Sequence, residues 1–167
     1  PKTLTHTTPH MHPKGRDNTE RSSEGPIDQP VWWKLAKIRE NHHERRLTVE
    51  GNYAVIFRAY TEGVAYRLET SLPQAEVKVY GEESNFNFAG DYRVYYPQEE
   101  SFFSHNERHY LPMNLAAIAP SAIASLPAVV DAANGMKVAV AESDIEDYPG
   151  LWLRGTSGNG LAATFPP

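Results

Sequence analysis

Apolar residues are distributed unevenly along this chain, and their spacing gives the first reading of its elements. Residues 1–29 hold Thr, His, Ser, Pro and charged side chains with almost no apolar residue. Such a stretch buries too little surface to offset its ordering entropy, so it is expected to be a disordered or unrelated head. The texture changes at Pro30, where Val31-Trp32-Trp33 opens an apolar run. Leu47-Thr48-Val49 and Tyr53–Phe57 predict two strands joined through Gly51-Asn52, residues that tolerate the left-handed backbone of a tight turn. Tyr60–Val64 predicts a second turn, and Ala65–Thr70 alternates as a half-buried strand does. Alternation returns at Glu76–Tyr80 and at Asn85–Phe88.

The second half reads the same way. Residues 91–110 mix aromatic and charged side chains, and Pro97 and Pro112 oppose a long helix there. Leu115–Val130 is Ala-rich, but Pro120 and Pro127 cut it into pieces too short for a stable helix. Loop and short strands are expected instead. Met136–Ala141, Leu151–Arg154 and Leu161–Phe165 complete the strands, with Gly155–Gly160 as a turn. Many short strands with closely spaced turn signals predict an all-β fold, an antiparallel β-sandwich, over 30–167.

Composition narrows the function. The 167 residues fit one ordinary domain. The formal charge of −5 argues against a nucleic-acid footprint, which needs a basic stripe. With no cysteine there is no disulfide frame and no thiolate zinc site. No apolar run reaches the length of a membrane span, and no charged-then-apolar leader opens the sequence.

Candidate chemistry is sparse. His6, His10 and His12 lie in the polar head, and His42, His43, His105 and His109 read as surface or hydrogen-bonded residues rather than ligands. No nucleophile elbow, phosphate loop or dinucleotide fingerprint is present, and no spacing singles out the carboxylate pair that glycoside hydrolysis uses. The acidic group Glu142, Asp144, Glu146 and Asp147 stands before Tyr148-Pro149-Gly150. In an extended chain Glu142, Asp144 and Glu146 would share one face, and hard cations such as calcium take several such oxygens. The plainer reading is a solvated acidic turn. Aromatic side chains could offer a sugar-stacking row, with Trp33, Tyr95, Tyr96 and Trp152 as candidates; core packing is the plainer reading of these too.

Several segments, taken in order, carry a resemblance. Ile38–Glu44 resembles a segment ending in Asn-Glu, with His43 at the Asn position. Val55–Tyr60 with Glu62–Arg67 resembles an "FRxYxxGxAFR" hairpin. Glu99–Phe102 with Ser104-His105 and Glu107-Arg108 resembles a further motif of some members. Ala141–Ile145 and Asp147–Gly150 resemble "TEADLxDYPG". Together they resemble the N-terminal β-sandwich domain, of super-sandwich type, of glycoside hydrolase family 97. The resemblance covers 30–167 and leaves 1–29 unmatched.

That resemblance implies a parent enzyme of the α-glucosidase or α-galactosidase type. In it the sandwich packs on a catalytic (β/α)8 barrel, and calcium sits at the active site. One calcium ligand is expected from this domain, at Glu142, and Glu44 is expected near the sugar. The catalytic acid and base would belong to the barrel. The chain is therefore expected to be an incomplete piece of the enzyme, inactive alone, with carbohydrate and the barrel as partners. A periplasmic or secreted location is implied by the resemblance only. The alternative is a free-standing carbohydrate-binding sandwich without catalysis.

Overall fold

The computed structural model describes residues 17–28, 37–73 and 79–167. It divides between residues 78 and 79 into two compact units, and every pairing in both is antiparallel. The described residues form a nearly all-β chain, an antiparallel β-sandwich fold, as the alternating pattern predicts.

The first unit is a four-stranded sheet of β1 (Asp17–Asp28), β2 (Lys37–Val49), β3 (Tyr53–Tyr60) and β4 (Gly63–Thr70), in that order. Both hairpins fall where the turn residues place them. Gly51 and Asn52 take positive φ, 93° and 64°, between the paired Val49 and Tyr53. Thr61-Glu62 turns the chain between the paired Tyr60 and Gly63. Ala54, Val55 and Ile56 of β3 are buried.

Strand β1 corrects the expectation of a disordered head. Residues 17–28 pair with β2 along their whole length, from Asp17 opposite Thr48 to Asp28 opposite Lys37. The segment is polar, but its ladder is completed by the open edge of β2. Cross-strand charges match as well, with Arg21 opposite Glu44 and Glu20 opposite Arg45. An edge strand with one face in water needs few apolar residues, and it tolerates Pro26. Residues 1–16 and Val31-Trp32-Trp33 lie outside the described residues, as do Glu76, Val77 and Lys78 of the alternating run at 76–80. Val79 and Tyr80 of that run are not in a strand.

The second unit holds two sheets. One contains β11 (Lys137–Val140), β10 (Ala128–Asp131), β6 (Arg93–Tyr96) and β8 (Leu111–Asn114) in that order. The other contains β5 (Asn85–Asn87), β13 (Gly160–Thr164), β12 (Trp152–Gly155), β9 (Ile123–Ala124) and β7 (Gln98–Glu99). Val94, Tyr96, Val130 and Val140 from the first sheet pack with Ala124, Leu153 and Leu161 from the second in one buried cluster. The Ala-rich stretch is loop and short strands, as its prolines predict, with one 3-10 turn at Leu115–Ala117. That turn seats Leu115 and Ile118 in the same core.

Candidate functional site

Glu142 stands two residues beyond the end of β11, whose last residue Val140 is buried. The strand thus fixes the root of this side chain, while the loop it enters, 141–150, is largely exposed. Glu142 is half-buried, and its Oε2 accepts the backbone N–H of Leu151 at 2.7 Å. No other hydrogen bond to this carboxylate is made among the described residues, so Oε1 has no partner among them. The loop is not extended: Asp144 and Asp147 have positive φ of 59° and 48°. The shared face expected for Glu142, Asp144 and Glu146 therefore does not form, because left-handed residues break the alternation on which it depends. Asp144, Glu146 and Asp147 are exposed.

The loop is anchored by residues distant in sequence. Tyr148 donates its hydroxyl to Glu82 Oε2 at 3.2 Å and meets Phe165 edge-on, the ring centres 5.8 Å apart. Glu82 Oε1 accepts Ser84 Oγ at 2.8 Å, and the Ser84 carbonyl accepts the N–H of Ala163 in β13 at 2.7 Å. Burial, then the negative charge and hydrogen bond of Glu82 and the charge of Glu142, push the Tyr148 phenol up, so it stays a donor.

Glu44 lies in the middle of β2, opposite Arg58 of β3 and Arg21 of β1. Arg58 Nε donates to its Oε2 at 2.8 Å. That guanidinium holds the Glu44 carboxyl below the usual carboxylate range. Glu44 belongs to a charged face. Arg46 pairs with Glu69, and the face lines an open concavity of about 470 Å3 with Arg21, His42, Glu44 and Arg58. His42 is 5% exposed, tilted against Tyr60 and 3.2 Å from Glu40 Oε1. His43 sits in the same strand on the alternate face, opposite Ala59.

Calcium takes six to eight oxygens. Among the described residues no group of three or more His, Cys, Asp or Glu could hold a metal. Glu142 fits calcium as a single hard anionic donor with one oxygen free, which requires other ligands from outside this set of residues.

Among the described residues the aromatic candidates for sugar stacking pack into the protein, as the plainer reading has it. Tyr96 is wholly buried, its hydroxyl donating to the carbonyls of Ala122 at 2.9 Å and Leu153 at 3.1 Å. Tyr95 and Trp152 are half-buried, and Phe102 stands edge-on to Trp152 at 5.1 Å. Trp33 lies outside the described residues.

Sequence reasoning missed Glu99 as a structural acid and Glu82 as an anchor. The Glu99 side chain is fully buried; Arg108 Nε donates to Oε2 at 2.6 Å and Ser125 Oγ to Oε1 at 3.2 Å. The spacing Glu99–Arg108 was in plain sight within one motif. Glu82 and Tyr148 are 66 residues apart, and no local pattern pairs them.

The fold is an antiparallel β-sandwich, with Glu142 set just beyond the end of β11. The chain belongs to the glycosyl-hydrolase 97 N-terminal family, whose model matches residues 7–166. That match takes in most of the head expected to be unrelated. The retaining α-galactosidase of Bacteroides thetaiotaomicron is 30% identical over 159 residues, 89% of this chain and 24% of that protein. Two solved structures from a Pseudoalteromonas strain share the fold. A glycoside hydrolase family 97 enzyme in complex with acarbose has a TM-score of 0.78 at 19% identity, covering 92% of this chain and 24% of its own. A variant of a family 97 enzyme from that source gives 0.75 at 18%, with the same coverage. The chain thus spans about a quarter of the length of these relatives.

Proposed function

We propose that this chain is the N-terminal accessory domain of a calcium-dependent, exo-acting α-glycosidase of the α-glucosidase or α-galactosidase type, acting outside the cytoplasm in the periplasm or after secretion. Glu142 would supply one calcium ligand and Glu44 would wall the sugar pocket. The remaining ligands and the reacting carboxylates would come from a catalytic barrel in the parent protein. Family membership supports the first part, and the curated relative is an α-galactosidase.

The observation that carries the metal role is the state of Glu142. Its Oε2 is fixed by the Leu151 N–H, which leaves Oε1 oriented and unspent. When bound, calcium would supply a hard positive charge beside the scissile bond. The chain's own share is to hold Glu142 directed, through the Leu151 N–H. Glu44, held ionised by Arg58, keeps Oε1 to accept a sugar hydroxyl.

The test is hydrolysis of p-nitrophenyl α-glucoside and α-galactoside. The parent protein should cleave one of them and lose that activity on chelation, while this chain alone should cleave neither. A parent that hydrolyses neither, or that is indifferent to chelator, contradicts the proposal. Measurable sugar affinity in the isolated chain, with no hydrolase attached to it, would favour the free-standing binding domain.

A further inference from the structure

The loop that carries Glu142 turns through two left-handed residues and is tied down at several points. Asp144 and Asp147 both occupy the left-handed region, which Asp enters more readily than most residues but at a free-energy cost, so surrounding contacts are needed to hold it. Two sets of contacts hold the loop here. The first joins the two ends of the loop, from Leu151 N–H to Glu142. The second is a relay from the sheet: the β13 backbone at Ala163 holds the Ser84 carbonyl, Ser84 Oγ holds Glu82, and Glu82 holds Tyr148. Ser84 is 7% exposed, so the root of the relay is buried. Phe165 packs against the Tyr148 ring and fixes its plane.

We infer that Tyr148 and Glu82 are positioning residues for Glu142, a clamp that fixes the loop so that the free carboxylate oxygen faces its ligand. This rests on the reading of Glu142 as a calcium donor. Both Glu82 oxygens are already engaged, one by Ser84 and one by Tyr148. Glu82 is therefore a support rather than a second donor. The hydroxyl of Tyr148 is likewise spent on Glu82. The loop is exposed, so little else restrains it, and release of the clamp would let Glu142 sample other directions before each binding event.

The experiment is calcium titration calorimetry on the chelator-stripped parent protein, with wild type, Glu142→Ala, Tyr148→Phe and Glu82→Gln. Tyr148→Phe keeps the ring on Phe165 and deletes only the bond to Glu82. It should weaken calcium binding roughly tenfold, the range seen when outer supports of metal ligands are removed. Glu82→Gln can turn its one oxygen to Tyr148 and its amide N–H to the Ser84 hydroxyl oxygen, so it should hold affinity to within about threefold of wild type. A general loss of structure would instead lower the thermal midpoint of the stripped protein, which Tyr148→Phe should leave near that of wild type. If Tyr148→Phe does not fold, Glu82→Ala at its half-buried site removes the same bond from the other side. Glu142→Ala separates the two layers. If it leaves calcium affinity unchanged, the donor role fails and the clamp with it. If it weakens binding while Tyr148→Phe and Glu82→Ala do not, the clamp alone is overturned.

Discussion

Tyr96 shows how much a single side chain organises in this molecule. It is fully buried in the second unit and donates one hydroxyl to two carbonyls, on the loop at Ala122 and on β12 at Leu153. Burial pushes its phenol well above the ordinary range, so it remains a donor at any working pH. Tyr96→Phe should lower stability by about 1–2 kcal/mol, the usual cost of a lost buried hydrogen bond, measured by urea unfolding. Gly155 is restricted by space rather than by torsion. A Cβ there would sit 2.0 Å from the carbonyl oxygen of Ile118, so the 3-10 turn could not lie on β12. Gly155→Ala should cost at least about 1–3 kcal/mol in the same assay, as overpacked cores do. Glu99 sets a pH dependence. Burial raises its carboxyl, but hydrogen bonds from Arg108, Ser104 and Ser125 outweigh that and hold it below the usual range. Its folded value being depressed, its contribution is complete above the unfolded value of about 4.3 and drains as pH falls through the lower folded one. The urea midpoint should therefore fall on acidification below about pH 5, and Glu99→Gln should flatten that fall. A midpoint whose pH profile is unchanged in the variant would contradict this.

Elements differ in how far the sequence reveals them. Hairpins β2–β3 and β3–β4 are legible because local chemistry decides them: Gly51-Asn52 accept positive φ, and β-branched and aromatic residues fill β3. The prolines at 120 and 127 are equally decisive, since they forbid the helix that the alanines suggest. Strand β1 is illegible for a physical reason. It takes its order from backbone pairing with β2 and from charges across the ladder, not from buried apolar side chains. An entropy argument based on apolar content alone therefore misassigns it. The loop at 141–150 failed as an extended strand end because Asp144 and Asp147 turn left-handed, and its anchor Glu82 is supplied from 66 residues upstream of Tyr148. Of the site, Glu142 was legible only through its motif, and its support was not. The pairing of β1 is testable. Deleting residues 17–28 bares the edge of β2, so β2 amides should exchange faster in deuterium and the protein should self-associate. Unchanged exchange in β2 would mean that β1 adds no protection.

At the scale of the whole molecule, the described residues bring together a scaffold and the candidate donor Glu142. The second unit's core seats β11, β11 roots Glu142, and Glu82 with Tyr148 holds the loop beyond it. The first unit presents a charged concavity in which Glu44 is held by Arg58. Neither unit holds a metal-ligand cluster among the described residues, and the chain covers about a quarter of the length of its relatives. The central claim is that this domain contributes to hydrolysis by donating Glu142 to calcium held jointly with the rest of the parent enzyme. The most direct measurement is the calcium concentration giving half-maximal hydrolysis of a p-nitrophenyl α-glycoside by the parent protein, wild type against Glu142→Ala. The account predicts a rise of at least tenfold in that concentration for the variant, with its thermal midpoint in chelator close to that of wild type. An unchanged calcium requirement in a folded Glu142→Ala protein would contradict it.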